Sequence, residues 1–160
     1  MDPRTTRGYL NNNPGNMDRG NPPWNGEIRD VAQVQNEIQR IELTHGRFCV
    51  FNDAQHGIRA MVKNLRAYRD QLGCKSVRDY INRWAPPNEN NTAAYIANVA
   101  GPLGVQPDDP VDIEQRAIMR GLVDAIICVE CAGMPYSPEI IEEGLTLARV
   151  AEAAMFSGAT

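Results

Sequence analysis

One glutamate of the sequence combines two features that raise the pKa of a carboxyl group. Glu130 ends the apolar run AIICVE and is followed by CAG, so it lies near the C-terminus of the least polar predicted helix. Burial disfavours the carboxylate anion, and the negative end of the helix dipole disfavours it further. A glycosidase needs such a proton-retaining carboxyl group as general acid, to protonate the leaving glycosidic oxygen. The alternative is a surface glutamate at a frayed helix end, or one paired with Arg120.

Asparagines and tryptophans offer groups that bind sugars. Asparagines cluster in NNNPGN, residues 11–16, and in NENNT, residues 88–92. Their amides supply paired donors and acceptors for hydroxyl and acetamido groups, although turn formation is an equally ordinary role for asparagine. Trp24 in PPW and Trp84 in RWAPP lie beside prolines. Such rigid aromatic platforms either stack on sugars or cap a core.

The cysteines include a Cys-x-x-Cys pair, Cys128 and Cys131, with His45 and His56 as conceivable further metal ligands. A zinc site would also need a well-spaced second pair of ligands, which the sequence lacks. We therefore expect two buried thiols in an apolar helix, reduced cysteines in a protein made in the cytosol, and neither a metal nor another cofactor.

Length and charge limit the class of protein. A chain of 160 residues is long enough for one domain with its own core. We predict a single domain over residues 1–160, in which the Asn/Gly/Pro-rich residues 1–29 form a loop segment. The net charge of −4 and the pI of about 5.2 argue against nucleic-acid binding. No apolar run approaches the roughly 20 residues that span a bilayer, and the N-terminus does not resemble a secretory signal.

Apolar periodicity predicts a mainly α (α+β) fold with one small β element. Helices are expected over residues 30–43, 53–72, 76–84, 92–101, 112–132 and from residue 137 onward. Asp53, Ser76 and Ser137 are suitable N-cap residues, and Pro138 suits the first helical position. The segment RFCVF, Arg47 to Phe51, is the only convincing strand.

Several long stretches of the chain resemble a family of phage virion proteins. They are RGYLNNNPGN, FCVFNDAQHGIRAMVKNLRAY, VRDYINRWAPPNENNTAAYIANVAGPLGV and AIICVECAGMPYS. Members of this family are described as structural or lytic proteins, and the lytic enzyme of the enveloped double-stranded-RNA phage phi6 is associated with that description. The resemblance implies a protein of the virion or of the bacterial host cytoplasm that acts on the cell wall.

A second resemblance is to flagellar and autolysin-type glucosaminidases and to lytic transglycosylases, which have a lysozyme-like fold. In these proteins a helix ending in the catalytic glutamate precedes an Asn-Asn turn, an aromatic strand with its helix, and a later tyrosine- and asparagine-bearing loop. NNNPGN, FCVFNDAQHGIRAMV and RWAPPNENNTAAY are similar to the last three parts, whereas the glutamate helix appears at the far end as AIICVECAG. The resemblance implies a circularly permuted lysozyme-like domain in which Glu130 packs against the N-terminal asparagine turn.

Together the residues and the resemblances predict a muramidase or lytic transglycosylase that opens the β-1,4 glycan of peptidoglycan for a phage. The candidate site consists of Glu130 as general acid, Asn12, Asn13 and Asn16 as groups that orient the sugar, and Trp84, Asn91 and Tyr95 as lining of the cleft. Glu27 and Glu89 are candidates for a second carboxylate, which hydrolases need, whereas the class of lytic transglycosylases implies that a single acid can suffice.

Two other functions stay open. One is a non-catalytic virion structural protein with a lysozyme-like fold, which binds glycan or other virion proteins. The other is a peptidoglycan endopeptidase.

Overall fold

Seven α-helices build the part of the chain that this computed structural model describes, namely residues 1–87, 89 and 91–153. They are α1 (Arg7–Leu10), α2 (Glu37–His45), α3 (Ala54–Leu72), α4 (Val77–Trp84), α5 (Ala93–Leu103), α6 (Arg116–Glu130) and α7 (Pro138–Leu147). Short 3-10 turns cover Pro3–Thr5 and Val31–Gln33. The mainly α prediction is confirmed. Within these residues no helix combines the length and the apolar character that a membrane span requires.

Helix α3 forms the centre of the core. Asp53 caps it by accepting a hydrogen bond from the backbone N–H of His56, as predicted. Its apolar stripe, at spacings of three and four residues, buries Ile58, Met61, Val62 and Leu65. Gly144 allows α7 to pack closely against α3, because a Cβ atom at this position would lie 2.5 Å from Cγ2 of Ile58.

Helix α6 is the second core helix and ends at Glu130. It packs against α3, α4, α5 and α7, and its buried side chains include Leu122, Val123 and Ile126. Arg116 in its first turn is buried, and its guanidinium donates to Oε1 of Glu142 at 2.7 Å and to the carbonyl of Val150 at 2.9 Å. These bonds hold α7 and the segment after it against α6.

The predicted strand is an extended segment with a partner on each side. On one side Cys49 N–H donates to the carbonyl of Met17 at 2.9 Å, and on the other Ile28 N–H donates to the carbonyl of Val50 at 2.8 Å. The pairing consists of isolated antiparallel bridges, Asp18 with Phe48 and Glu27 with Phe51, rather than a continuous ladder. Three loop segments are thereby fixed side by side in the N-terminal half.

Helix α2 differs from its prediction in both its start and its buried face. It begins at Glu37, because Asn36 caps the N–H of Gln39, and the residues before it form only the 3-10 turn. Ile38 and Ile41 are exposed, while Gln39 faces inward and donates to the carbonyl of Leu10 at 2.9 Å. The buried face of α2 is therefore determined by hydrogen bonds with the N-terminal turn and not by the apolar pattern of the helix.

The other boundaries change less. Helix α6 begins at Arg116, four residues after the predicted start, and α5 continues through Pro102 to Leu103. Gly104, in the left-handed conformation with φ of 71°, ends α5. Ser76 and Ser137 cap α4 and α7 as predicted.

Candidate functional site

The asparagine turn is held by its own side chains. Asn13 is fully buried, its amide donates to the carbonyls of Met17 and Cys49 at 3.0 Å each, and its Oδ1 accepts from Met17 N–H at 3.0 Å. A side chain with no exposed surface and all its polar atoms engaged cannot orient a sugar. Asn13 therefore shapes the turn, and the structure leaves its side chain no exposed atom for the predicted sugar contact.

Asn12 also serves the fold. It adopts a left-handed conformation with φ of 54°, and its amide donates to the carbonyl of Phe51 at 3.0 Å and to Oε1 of Gln35 at 3.3 Å. Its own carbonyl lies against α3, where a Cβ atom on Gly57 would approach it to 2.0 Å. Asn12 thus fixes the turn on α3, and its predicted contact with a sugar stays a prediction.

Asn16 is the member of the turn that reaches the candidate acid. Its amide Nδ2 donates a hydrogen bond to Oε2 of Glu130 at 2.9 Å. Asn16 has a φ of 48°, a left-handed conformation that asparagine tolerates better than most residues. The end of α6 approaches the turn closely at Cys131, whose thiol donates to the carbonyl of Pro14 at 3.7 Å.

The environment of Glu130 favours its protonated form. Burial raises the pKa of the Glu130 carboxyl group above its ordinary 4.5, the hydrogen bond from Asn16 opposes this, and the charge of Glu89 adds to it. Arg120, the cation that could have paired with Glu130, instead binds Asp124 at 2.9 Å and Glu142 at 2.6 Å. Among the described residues no lysine or arginine lies within 4.0 Å of the Glu130 carboxylate.

Glu130 lies on the wall of a cavity of about 390 Å³. The lining combines three aromatic rings, three amides and two carboxyl groups, from Trp24, Tyr68 and Trp84, from Asn16, Asn21 and Asn64, and from Asp18 and Glu130. The remaining lining residues are Gly15, Met17, Gly20 and Pro22. The cavity therefore combines flat apolar surfaces, hydrogen-bonding groups and a half-buried carboxyl group in one place.

Trp84 is both a wall and an anchor of this cavity. Its indole Nε1 donates to the carbonyl of Gly15 at 2.9 Å, and its ring meets that of Tyr68 edge-on with centroids 5.7 Å apart. Gly15 must lack a side chain, because a Cβ atom there would lie 2.7 Å from Cζ2 of Trp84. The indole thus fixes the loop that presents Asn16.

Comparison with known proteins places this chain among phage proteins. Protein P5 of Pseudoalteromonas phage PM2 is 32% identical to it over 142 residues, which cover 86% of the chain and 79% of that protein. The chain belongs to the family of phage PM2 protein P5. Its sequence matches no profile of a described protein family. The predicted resemblance to phage proteins is confirmed, whereas the predicted lytic activity stays a prediction.

In this P5-family protein Glu27 is not a free second carboxylate. Its side chain is shielded from solvent, Oε1 accepts the backbone N–H of Trp24 at 3.0 Å, and Oε2 lies 2.5 Å from Nε of Arg29. Glu27 is outside the cavity wall. Glu27 holds the loop that carries Trp24, and the structure does not bring it to the cavity of Glu130 as a second carboxylate.

The NENNT loop and the start of α5 line other surfaces. Glu89 and Asn91 face a separate open cavity beside Arg78, and Tyr95 lines an apolar groove between α5 and α6. Asn88 and Asn90 of the same loop lie outside the described residues. Asn91 and Tyr95 do not line the cavity of Glu130. Among the described residues of this region, the charge of Glu89 raises the pKa of Glu130.

Four polar or aromatic residues of the cavity wall were not predicted from the sequence, namely Asp18, Asn21, Asn64 and Tyr68. Asn64 and Tyr68 are four positions apart on α3, at the edge of its buried stripe, and this spacing was the one available signal. Asp18 follows Asn16 by two residues, and Asn21 lies in a loop whose path depends on the extended segment. Nothing in the sequence marked either one.

The thiols of the P5-family chain are poor candidates for chemistry. Burial raises the pKa of Cys49 to about 12 and that of Cys131 to about 11, so neither thiolate forms readily. Across the described part of the chain, no three His, Cys, Asp or Glu side chains come close enough to hold a metal ion. His56 is engaged through Nδ1 with Oδ1 of Asp53 at 2.8 Å.

Proposed function

We propose that this protein cleaves the β-1,4 glycan strands of peptidoglycan for a phage, as a muramidase or lytic transglycosylase with a permuted lysozyme-like site. One observation carries the proposal: Glu130, a half-buried carboxyl group with no cationic partner among the described residues, lies on the wall of a cavity lined by aromatic rings and amides. That combination suits acid-catalysed cleavage of a sugar polymer.

Glu130 would act as the general acid. The hydrogen bond from Asn16 occupies Oε2, so a proton on Oε1 is free to point toward a bound glycosidic oxygen. Transfer of this proton to the leaving oxygen lowers the barrier to breaking the bond between the anomeric carbon and that oxygen. The raised pKa keeps part of the Glu130 population protonated at higher pH than an exposed glutamate allows.

The other walls would bind the sugar rings. Trp24, Tyr68 and Trp84 present flat apolar faces that suit the C–H faces of pyranose rings. The amides of Asn21 and Asn64 can donate to and accept from hydroxyl and acetamido groups. Rings held in this way keep the scissile bond within reach of Glu130.

The biological setting would be a phage virion or a late stage of infection, since the chain belongs to a phage family. A second candidate is a non-catalytic virion protein that uses the same cavity only to bind glycan or another virion protein. The ion pair between Glu27 and Arg29 favours this alternative, because it removes one of the two carboxylates that were expected to assist Glu130.

The test uses the purified chain, its Glu130→Gln variant and isolated sacculi. Glutamine keeps the size of the side chain but cannot cycle a proton, so we expect the rate of glycan cleavage to fall about 100-fold or more. Glu139→Gln, at an exposed position in the first turn of α7, is the matched control and should cleave at the parent rate. Circular dichroism checks that both variants remain folded.

Mass spectrometry of the released fragments separates the alternatives. New reducing or anhydro sugar ends that disappear in Glu130→Gln support the proposal. Cleavage at the parent rate by Glu130→Gln overturns the role of this residue. Intact glycan with binding to sacculi by the parent chain supports the non-catalytic candidate, and cut stem peptides support an endopeptidase.

A further inference from the structure

A second carboxyl group shares the cavity with Glu130. Asp18 lines the same wall and lies two residues after Asn16, whose amide binds Glu130. The backbone around Asp18 is fixed, because its carbonyl accepts the thiol of Cys49 at 3.4 Å and it forms an antiparallel bridge with Phe48. The backbone of Asp18 is therefore held in place beside the cavity by its contacts with Phe48 and Cys49.

The surroundings of the two carboxyl groups differ in the way that acid–base pairs require. The side chain of Asp18 is 67% exposed and lies 3.1 Å from Nε of Arg47, a setting that suits a charged carboxylate in contact with water. Glu130 is half-buried and is not ion-paired within the described residues. One group is thus suited to accept a proton from water and the other to donate one.

Asn16 lies close to both carboxyl-bearing residues, two positions before Asp18 in the chain and in hydrogen-bond contact with Glu130. The Cα atoms of Asn16 and Asp18 are at most about 7 Å apart, because two residues of extended chain reach no further. The Asn16 amide lies 2.9 Å from Glu130. An inverting glycosidase holds its attacking water between carboxyl groups roughly 6.5–9.5 Å apart, so the role proposed below for Asp18 requires a separation in that range.

We propose that Asp18 is the general base of a hydrolytic, inverting reaction at this site. The inference rests on the proposed glycan cleavage and deepens it, since it selects hydrolysis over transglycosylation. Asp18 takes a proton from a water molecule, whose oxygen forms a bond to the anomeric carbon. The glycosidic bond breaks, its oxygen receives the proton of Glu130, and one water is consumed for each bond cut. Exchange of protons with solvent then restores both carboxyl groups.

The experiment compares three variants of the chain on isolated sacculi. Asp18→Asn should lower the rate of cleavage about 100-fold or more. The control is Asp108→Asn, because Asp108 is also an exposed aspartate paired with an arginine, Arg78, at 2.8 Å. This control should cleave at the parent rate. Asp18→Ala with added azide should regain turnover and form a glycosyl azide of inverted configuration, which loss of a merely structural contact would not produce.

The products of the parent chain give an independent readout. Hydrolysis in ¹⁸O-labelled water should place the label on the anomeric carbon of new reducing ends, which NMR should show first as the α-anomer. Anhydro ends, an initial β-anomer, or parent activity in Asp18→Asn would overturn the role of Asp18. In those cases loss of activity in Glu130→Gln would still support glycan cleavage, whereas an inactive parent chain would remove both proposals.

Discussion

The amide of Asn16 donates a hydrogen bond to Oε2 of Glu130 at 2.9 Å and so joins two residues that are 114 positions apart in the sequence. The two side chains are positioned by different elements of the fold. Asn16 belongs to a loop that rests on α3, and Glu130 ends the core helix α6. The candidate site is therefore formed only when the N-terminal loop docks on the helical core.

The stability of the protein should depend on the ionisation of Glu130. Burial raises the pKa of Glu130 in the folded state above the value of the unfolded chain, so the folded state binds more protons between the two pKa values. Stability conferred by this group is fully present below the unfolded pKa and is lost as pH rises through the folded one. Urea denaturation at acidic and neutral pH should show that Glu130→Gln gains stability relative to the parent as pH rises. A difference that does not vary with pH would contradict this.

Replacing Asn16 should change the pH dependence of cleavage. The hydrogen bond from Asn16 lowers the pKa of Glu130, so its removal should raise that pKa and move the alkaline limb of the rate profile to higher pH. Asn16→Gly is the suitable variant, since glycine tolerates the φ of 48° that alanine would strain. An unmoved limb with a lower rate would show that Asn16 acts on the substrate and not on Glu130.

Trp84 should contribute to both stability and binding. Trp84→Phe removes the hydrogen bond to Gly15 but keeps an aromatic wall, so we expect a loss of about 1 kcal/mol in the free energy of unfolding and nearly unchanged glycan binding. Trp84→Ala should lower the free energy of unfolding by about 3 kcal/mol and weaken glycan binding markedly. Urea denaturation and isothermal calorimetry with a chitin oligosaccharide measure the two effects. Unchanged binding by the alanine variant would place the sugar elsewhere.

The contact between Gly57 and the asparagine turn should tolerate no side chain. A Cβ atom there would lie 2.0 Å from the carbonyl oxygen of Asn12, so Gly57→Ala should lower the free energy of unfolding by about 2–4 kcal/mol. Gly101→Ala is the matched helical control, because no atom lies within 4 Å of its Cβ position. It should gain about 0.5–1 kcal/mol from helix propensity. Equal stability of the two alanine variants in urea would contradict the tight seat of the turn.

Most of the helices could be predicted from the sequence because their signals are local. The cap of α3 at Asp53 and the stripe below it depend on spacings within one element, and the structure confirms both. The buried face of α2 was mispredicted, because it is determined by the hydrogen bonds that Gln39 and Glu42 make with the N-terminal turn. Long-range polar contacts of this kind leave no periodic pattern.

The site was harder to predict for the same physical reason. The apolar residues around Glu130 are its neighbours in the sequence, so they could mark it as a candidate. The partners of the asparagines are distant in the sequence and could not be identified from it. Asn12 and Asn13 belong to the same Asn-rich stretch as Asn16, but their amides point inward and donate to backbone carbonyls of the extended segment. Asp18 reaches the cavity only because that segment fixes the loop beside it.

Both tryptophans of the chain, Trp24 and Trp84, lie on the wall of the same cavity. All of the indole emission of the protein therefore originates at the candidate site. A sugar that covers either ring displaces water from it, so a titration with glycan fragments should change the intensity and wavelength of intrinsic fluorescence without any attached dye. Tryptophan fluorescence therefore reports directly on occupancy of this cavity.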